Sequence, residues 1–228
     1  MPSVTEVIEH TTEPHIVKWY RAKGFTACDK ISIEAKRIGS LVDGWIQEDV
    51  RQEGRYEPTL PQRQLEFMQT GLAPAEWRCW ESWLSFKRDH PAFLESVVGV
   101  QEELQEGELV GHPDLIVQDA THWGIVDIKT SKQVTARHLV QVGKYWSMKR
   151  HQMAQADPIA GCRLPSFIAI LRLDKESGQY EYFQVEDEQV IREQVIVFNA
   201  YYRIYQHEAQ VRALKQLKAE AEAYDGIS

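Results

Sequence analysis

Two aspartates and a lysine in the middle of the chain have the types and spacing for metal-assisted chemistry. They are Asp114, in Gly111-His112-Pro113-Asp114, and Asp127 and Lys129, in a hydrophobic run from His122 to Thr130. In an extended strand, successive side chains point to opposite faces. Asp127 and Lys129 therefore share a side with Ile125, while Val126, Ile128 and Thr130 take the other. An acid and a lysine two apart are cheap evidence, since an exposed pair contributes ~0–1 kcal/mol. Glu34-Ala35-Lys36 has the same spacing in a helical stretch, where that strand geometry cannot arise. Asp114 adds weight, because a hairpin from its strand to the next would set it beside Asp127. Converging carboxylates repel, and a divalent cation with hard oxygen ligands keeps both ionised. Magnesium suits a site with only two or three acids, several waters and a phosphate oxygen. Lys129 would stand next to the metal-bound water or the phosphate.

The elements that position these residues can be read from periodicity. Residues 1–30 form a polar lead-in with room for a short helix. Ile33, Ile38, Leu41, Val42, Trp45, Ile46 and Val50 recur at helical spacing across Ile31–Glu53, with Gly54 as a stop. A second helical region covers roughly 61–89, broken near Gly71–Pro74. Its tryptophans, Trp77, Trp80 and Trp83, are expected in the core. Short β-rich runs follow at Val97–Leu104, Leu109–Val117 and His122–Thr130, which suggest an antiparallel meander. His138–Met153 returns to helical spacing. Ser166–Leu173 and Gly178–Val185 read as strands joined by a turn, and a helix covers about 188–224. The connection through the His138 helix is long enough for a crossover, so the expected architecture is α/β with a mixed sheet flanked by helices.

Composition narrows the classes. The chain has 228 residues, 43% hydrophobic and 26% charged, which excludes collagen-like and wholly disordered proteins. No apolar stretch is long enough for a membrane helix, and Met1 to Glu13 has neither the basic flank nor the apolar run of a secretory signal. No membrane association and a cytoplasmic location are the expectation. Cys28, Cys79 and Cys162 are scattered, encoding neither a disulfide framework nor a zinc site. His112 and His122 form no spaced zinc motif either. The net charge of −8 argues against a uniformly basic nucleic-acid coat. Locally, however, Lys129, Lys132, Arg137, Lys144, Lys149 and Arg150 fall in a window without acids. It follows directly on an acidic stretch that includes Glu102, Glu103, Glu106 and Glu108.

Pro113-Asp114 followed by Asp127-Ile128-Lys129 resembles the signature of the PD-(D/E)xK nuclease superfamily. Gln141-Val142-Gly143-Lys144-Tyr145 resembles the Q-x-x-x-Y element that follows the catalytic strand in its RecB-like and phage-type exonuclease branch. The resemblance spans about Gly39 to Leu173 and implies a restriction-endonuclease-like core. The domain would then occupy 31–228, with the catalytic core at about 95–185. Four residues apart on a helix, Gln141 and Tyr145 lie on one face and could both reach the site, with Lys144 and Lys149 extending toward a phosphate backbone.

By the same resemblance, Asp114, Asp127 and the backbone carbonyl of Ile128 would hold Mg2+, or alternatively Mn2+, and Lys129 would orient or activate water. The branch often supplies another acid from the strand before Pro-Asp, and Glu102 is the candidate, with Glu103 or Gln101 as alternatives. Where relatives carry Gly-x-x-x-His, Gly39-Ser40-Leu41-Val42-Asp43 offers Asp43 as a replacement ligand. Iron–sulfur relatives need four cysteines, so no cluster is expected. The implied activity is phosphodiester hydrolysis in DNA, as an exonuclease in recombination, repair or phage DNA processing, in a bacterial or phage-infected cytoplasm. A structure- or site-directed endonuclease and a non-catalytic DNA-binding module are the alternatives. A homo-oligomer and a single-strand annealing or recombination partner protein are further implied possibilities.

Overall fold

The computed structural model describes residues 1–10, 14–58, 74–118, 122–156 and 164–225. Its helices are α1 (Val4–His10), α2 (Pro14–Lys23), α3 (Phe25–Arg51), α4 (Ala75–Asp89) and α5 (Phe93–Ser96), then α6 (Ala136–Ala156) and α7 (Glu188–Asp225). The strands are β1 (Val97–Val100), β2 (Leu104–Glu106), β3 (Leu109–Gly111), β4 (Leu115–Gln118), β5 (Trp123–Lys129), β6 (Pro165–Leu173) and β7 (Tyr180–Val185). Part of the second helical region, 61–73, lies outside the described residues, as does Cys162. Among the described residues no helix is long and apolar enough to cross a membrane.

A five-stranded sheet in the order β1-β4-β5-β6-β7 forms the middle layer, and β2-β3 makes a separate ribbon. All pairings in the large sheet are antiparallel except β5 with β6. That parallel pair encloses α6 as its crossover, giving the expected mixed sheet. Central strands are covered on both faces and so are apolar almost throughout. Ile116, Ile125, Ile168 and Ile170 pack toward α1, α6 and α7. Leu115, Val117, Val126, Ile128, Ala169 and Leu171 pack toward α3 and α4, among Trp45, Trp80 and Trp83. The tryptophans are core, as expected.

Two expected strands are each broken by a residue that cannot continue the ladder. Val97–Leu104 divides into β1 and β2 at Gln101, whose φ is 49°. Leu109–Val117 divides into β3 and β4 around Pro113, which has no N–H to donate. The N-terminus differs more. The described residues of 1–30 hold two helices and the start of a third, and Val4, Val7 and Ile8 of α1 are buried in the core. Their i, i+3, i+4 spacing is an amphipathic signal over fewer than two turns, too short to stand out by periodicity alone.

The tie between α3 and α4 is a buried acid. Asp49 is fully enclosed; its Oδ2 accepts from Trp83 Nε1 and from Lys87 Nζ, each at 2.7 Å, and its Oδ1 accepts from the Tyr56 N–H at 3.1 Å. Removing one partner strands the other charge in a poorly solvated place. Asp49→Ala is therefore expected to cost about 3–5 kcal/mol in urea unfolding. An unfolding midpoint equal to that of the wild type would contradict it.

Candidate active site

The register of β4 with β5 sets Leu115 opposite Val126, so the residues just outside that pair, Asp114 and Asp127, face each other where the strands diverge. Asp114 is fixed from both sides. Its Oδ2 accepts from the Ile128 N–H at 2.6 Å, and its Oδ1 from the Gln101 side-chain amide at 2.7 Å. The turn at Gln101, which ended β1, is what aims that amide. Asp127 is 1% exposed, and its Oδ2 lies 2.7 Å from Lys129 Nζ.

From the other layer, α3 presents Lys36, Gly39, Ser40 and Asp43 at i, i+3, i+4 and i+7, all lining one cleft. Asp43 Oδ2 accepts from Gln47 at 2.7 Å, whereas its Oδ1 is buried with no hydrogen-bond partner among the described residues. The cleft encloses about 540 Å³ and is also lined by Ser3, by Thr5 and Glu9 of α1, by Gln101, His112, Asp114, Asp127, Ile128 and Lys129, and by Gln141 and Tyr145 of α6.

Burial sets the electrostatics. It pushes the Asp43 carboxyl up to about 7, with Asp114 adding repulsion. Burial likewise pushes Asp127 up to about 7; Lys129 opposes the shift, and Asp114 and Asp43 add to it. Asp114 also rises through burial, against the pull of Lys129 and the two hydrogen bonds it accepts. For Lys129, burial alone would lower the ammonium pKa, but Asp127 and Asp114 outweigh it and hold it well above the usual lysine value. Among the described residues, no three acidic, histidine or cysteine side chains stand together as a ready-made metal shell. Magnesium does not need one: it is commonly held by one or two carboxylates, with waters and phosphate oxygens completing the octahedron.

On α6, Gln141 and Tyr145 do share a face at the cleft. The Gln141 amide donates to Tyr145 Oη at 3.0 Å and to Thr5 Oγ1 at 3.2 Å, and the Thr5 and Tyr145 hydroxyls are 3.5 Å apart. Tyr145 fits only because residue 111 has no side chain. A Cβ there would come within 2.7 Å of the tyrosine ring and 3.2 Å of Val4. Burial, with Asp127 adding, raises the phenol pKa, so Tyr145 acts here as a neutral hydrogen-bonding group.

Two expected site residues, Glu102 and Lys144, lie elsewhere. Glu102 does not line the cleft; its Oε1 is 2.6 Å from Lys149 Nζ. Lys144, expected to reach DNA, is 2% exposed, 2.7 Å from Glu106 and over the Phe198 ring. The acidic 102–106 stretch and the lysines of α6 thus neutralise each other where α6 crosses β2. Arg150 is similarly engaged, over Trp146 and 3.4 Å from Glu188. The apparent basic block is largely internal. What sequence reasoning missed is α1, whose Thr5 and Glu9 line the cleft with Ser3 just before them; of the alternatives at the upstream position, Gln101 is the one at the cleft, where it holds Asp114 rather than a metal.

Among curated proteins none matches the chain. Two similar solved structures are described as "SSO0001" and as "LHK-Exo in complex with dAMP". The first is 11% identical, with a TM-score of 0.34, covering 87% of this chain and 74% of that one. The second is 15% identical, with a TM-score of 0.32, covering 79% of this chain and 85% of the other. The family model of the PD-(D/E)XK nuclease superfamily matches residues 17–226, which include α3, both signature strands and α6. With Asp114, Asp127 and Lys129 gathered at one cleft on a mixed sheet, the chain belongs to the PD-(D/E)XK nuclease superfamily.

Proposed function

We propose that this protein is a divalent-metal-dependent deoxyribonuclease, acting as an exonuclease. The observation that carries the reading is the gathering of Asp43, Asp114, Asp127 and Lys129 in one cleft, with Asp43 Oδ1 buried and unpartnered. Asp127 is buried and Asp43 and Asp114 are half-buried; Asp114 raises the proton affinity of Asp43, and both raise that of Asp127, a donor set that a hard cation, Mg2+ or Mn2+, would relieve. Asp114 and Asp127 would hold it with the Ile128 carbonyl, and Asp43 would reach it directly or through water. Such an ion supplies a polarised phosphate and a water of lowered pKa.

The chain's own residues do the rest. Lys129 remains an ammonium, so its role is to orient the attacking water and stabilise charge on the phosphate rather than to take a proton. The Ile128 N–H and the Gln101 amide keep Asp114 from rotating. Gln141, Tyr145 and Thr5 form a neutral, hydrogen-bonding wall that can position a nucleotide. The exonuclease direction is supported by the Gln141 and Tyr145 element and its placement at the cleft.

The test is to incubate the protein with linear and covalently closed circular DNA, in magnesium, manganese or chelator, beside an Asp127→Ala control. Metal-dependent loss of linear DNA alone is expected. Cutting of the closed circle would replace the exonuclease reading with an endonuclease. Intact DNA under every condition, with binding retained, would replace it with a non-catalytic module.

A further inference from the structure

The cleft is short of cations for a site that must receive a polyanion. Of the described residues lining it, four are acids, Glu9, Asp43, Asp114 and Asp127, and two are lysines. Lys129 is committed to Asp127 at 2.7 Å. Lys144 and Lys149 are committed to Glu106 and Glu102 on the far side of α6. That leaves Lys36, the lysine of Glu34-Ala35-Lys36, whose side chain is 74% exposed.

Among the described residues, the ion-pair partner of Lys36 is Glu9, which also lines the cleft. Glu9 Oε1 of α1 lies 3.4 Å from Lys36 Nζ, with 59% of its own side chain exposed. An exposed pair at that separation contributes little and is readily exchanged for another anion. Glu9 thus occupies Lys36 in the way a phosphate would. The position along α3 is also informative. Lys36 and Asp43 are seven residues apart on one helix face, about 10 Å along the axis at 1.5 Å per residue. A cation there meets a phosphate next to the one at the carboxylates, not the reacting one.

Building on the nuclease reading, we propose that Lys36 is the substrate-binding cation of this cleft. It holds the phosphate neighbouring the cleaved bond, and Glu9 is a built-in competitor that the nucleic acid displaces. The pair then sets affinity and salt response without touching the reacting atoms.

The test is fluorescence anisotropy with a 5′-fluorescein-labelled single-stranded DNA oligonucleotide, in magnesium and in a Lys129→Ala background that slows turnover enough for binding to be read before cleavage. Lys36→Gln is expected to raise Kd ~5- to 10-fold and to reduce the slope of log affinity against log salt by about 0.7, the value for one lost phosphate contact on a single strand. Lys36→Arg should restore both. Glu9→Gln is expected to lower Kd ~2- to 5-fold, and to have no effect once Lys36 is glutamine. With Lys129 intact, Lys36→Gln should raise KM and leave kcat within about twofold.

Unchanged Kd and slope in Lys36→Gln would overturn the assignment. So would a Glu9→Gln variant that binds as weakly as Lys36→Gln, which would mean the pair only seats α1. If the wild type cuts DNA and Lys36→Gln binds normally, Lys36 alone is misassigned. If the wild type neither binds nor cuts, the nuclease reading itself fails.

Discussion

Lys129→Ala is expected to lower the rate of DNA cleavage about 1,000-fold while leaving DNA affinity within a few-fold of wild type. The size follows from its placement. Its ammonium sits 2.7 Å from Asp127 at the floor of the cleft, and a single well-aimed group acting on a reacting water or a developing phosphate charge is worth ~10²–10⁴ in rate. Affinity survives because the side chain is only 23% exposed and its partners are carboxylates, not solvent-facing anions. Single-turnover kinetics with saturating magnesium measures the first quantity, and anisotropy the second. Turnover within tenfold of wild type would remove Lys129 from the reaction.

The metal-free protein is expected to lose stability as pH rises through about 7, and magnesium to restore it only on the alkaline side. Asp43 and Asp127 are both pushed up to about 7, from 3.8 for an ordinary aspartate. In each case the folded chain binds the proton more tightly than the unfolded chain does. The stabilisation is therefore complete below about 3.8, where both states are protonated, and is lost as pH climbs through the folded value. A divalent cation needs the ionised form and so competes with these protons.

Near pH 5.5 magnesium should barely move the melting temperature. At pH 8, at ~100 times Kd, it should raise it by roughly 5–10 °C, the equivalent of about 2.7 kcal/mol. Asp43→Asn keeps the shape of the side chain and removes one of the repelling charges. It should raise the metal-free melting temperature at pH 8 by several degrees and shrink the magnesium shift. Scanning calorimetry at the two pH values decides it. An equal magnesium shift at pH 5.5 and pH 8 would mean that the carboxylates do not bind the ion.

The central sheet and the two signature strands were legible because their causes are local. Trp123–Lys129 is a buried strand interrupted by one acid, and neither period nor polarity leaves another element for it. Gln141 and Tyr145 were legible as a pair since helical spacing alone puts them on one face. Glu102 and Lys144 were misplaced for the opposite reason. Each was read by the charge it carries, while its actual neighbour, Lys149 or Glu106, is brought in by tertiary packing of α6 on β2. Charge counted along the chain cannot tell a solvated cation from one consumed inside the fold. Lys36 shows the same limit. Its acid-x-lysine spacing carried no meaning, yet the helix face it shares with Asp43 delivers it to the cleft. The contribution of α1 was hidden because three apolar residues in seven are a weak pattern until a partner surface exists.

The seating of α1 bears on when the protein becomes active. Thr5 meets Tyr145 across 140 positions of sequence, and the helix that carries Thr5 is held from behind by α7: Tyr205 donates to Glu6 at 2.5 Å, and the His10 ring lies 2.6 Å from Glu208. Synthesis is vectorial, so α1 is made well before the stretch of α7 on which it docks. Until residues 205–208 have left the ribosome, the wall that carries Thr5 and Glu9 lacks that backing. The long-range contacts that complete the cleft are also those whose closure is slowest. The order of translation thus separates synthesis of α1 from completion of the cleft that it lines.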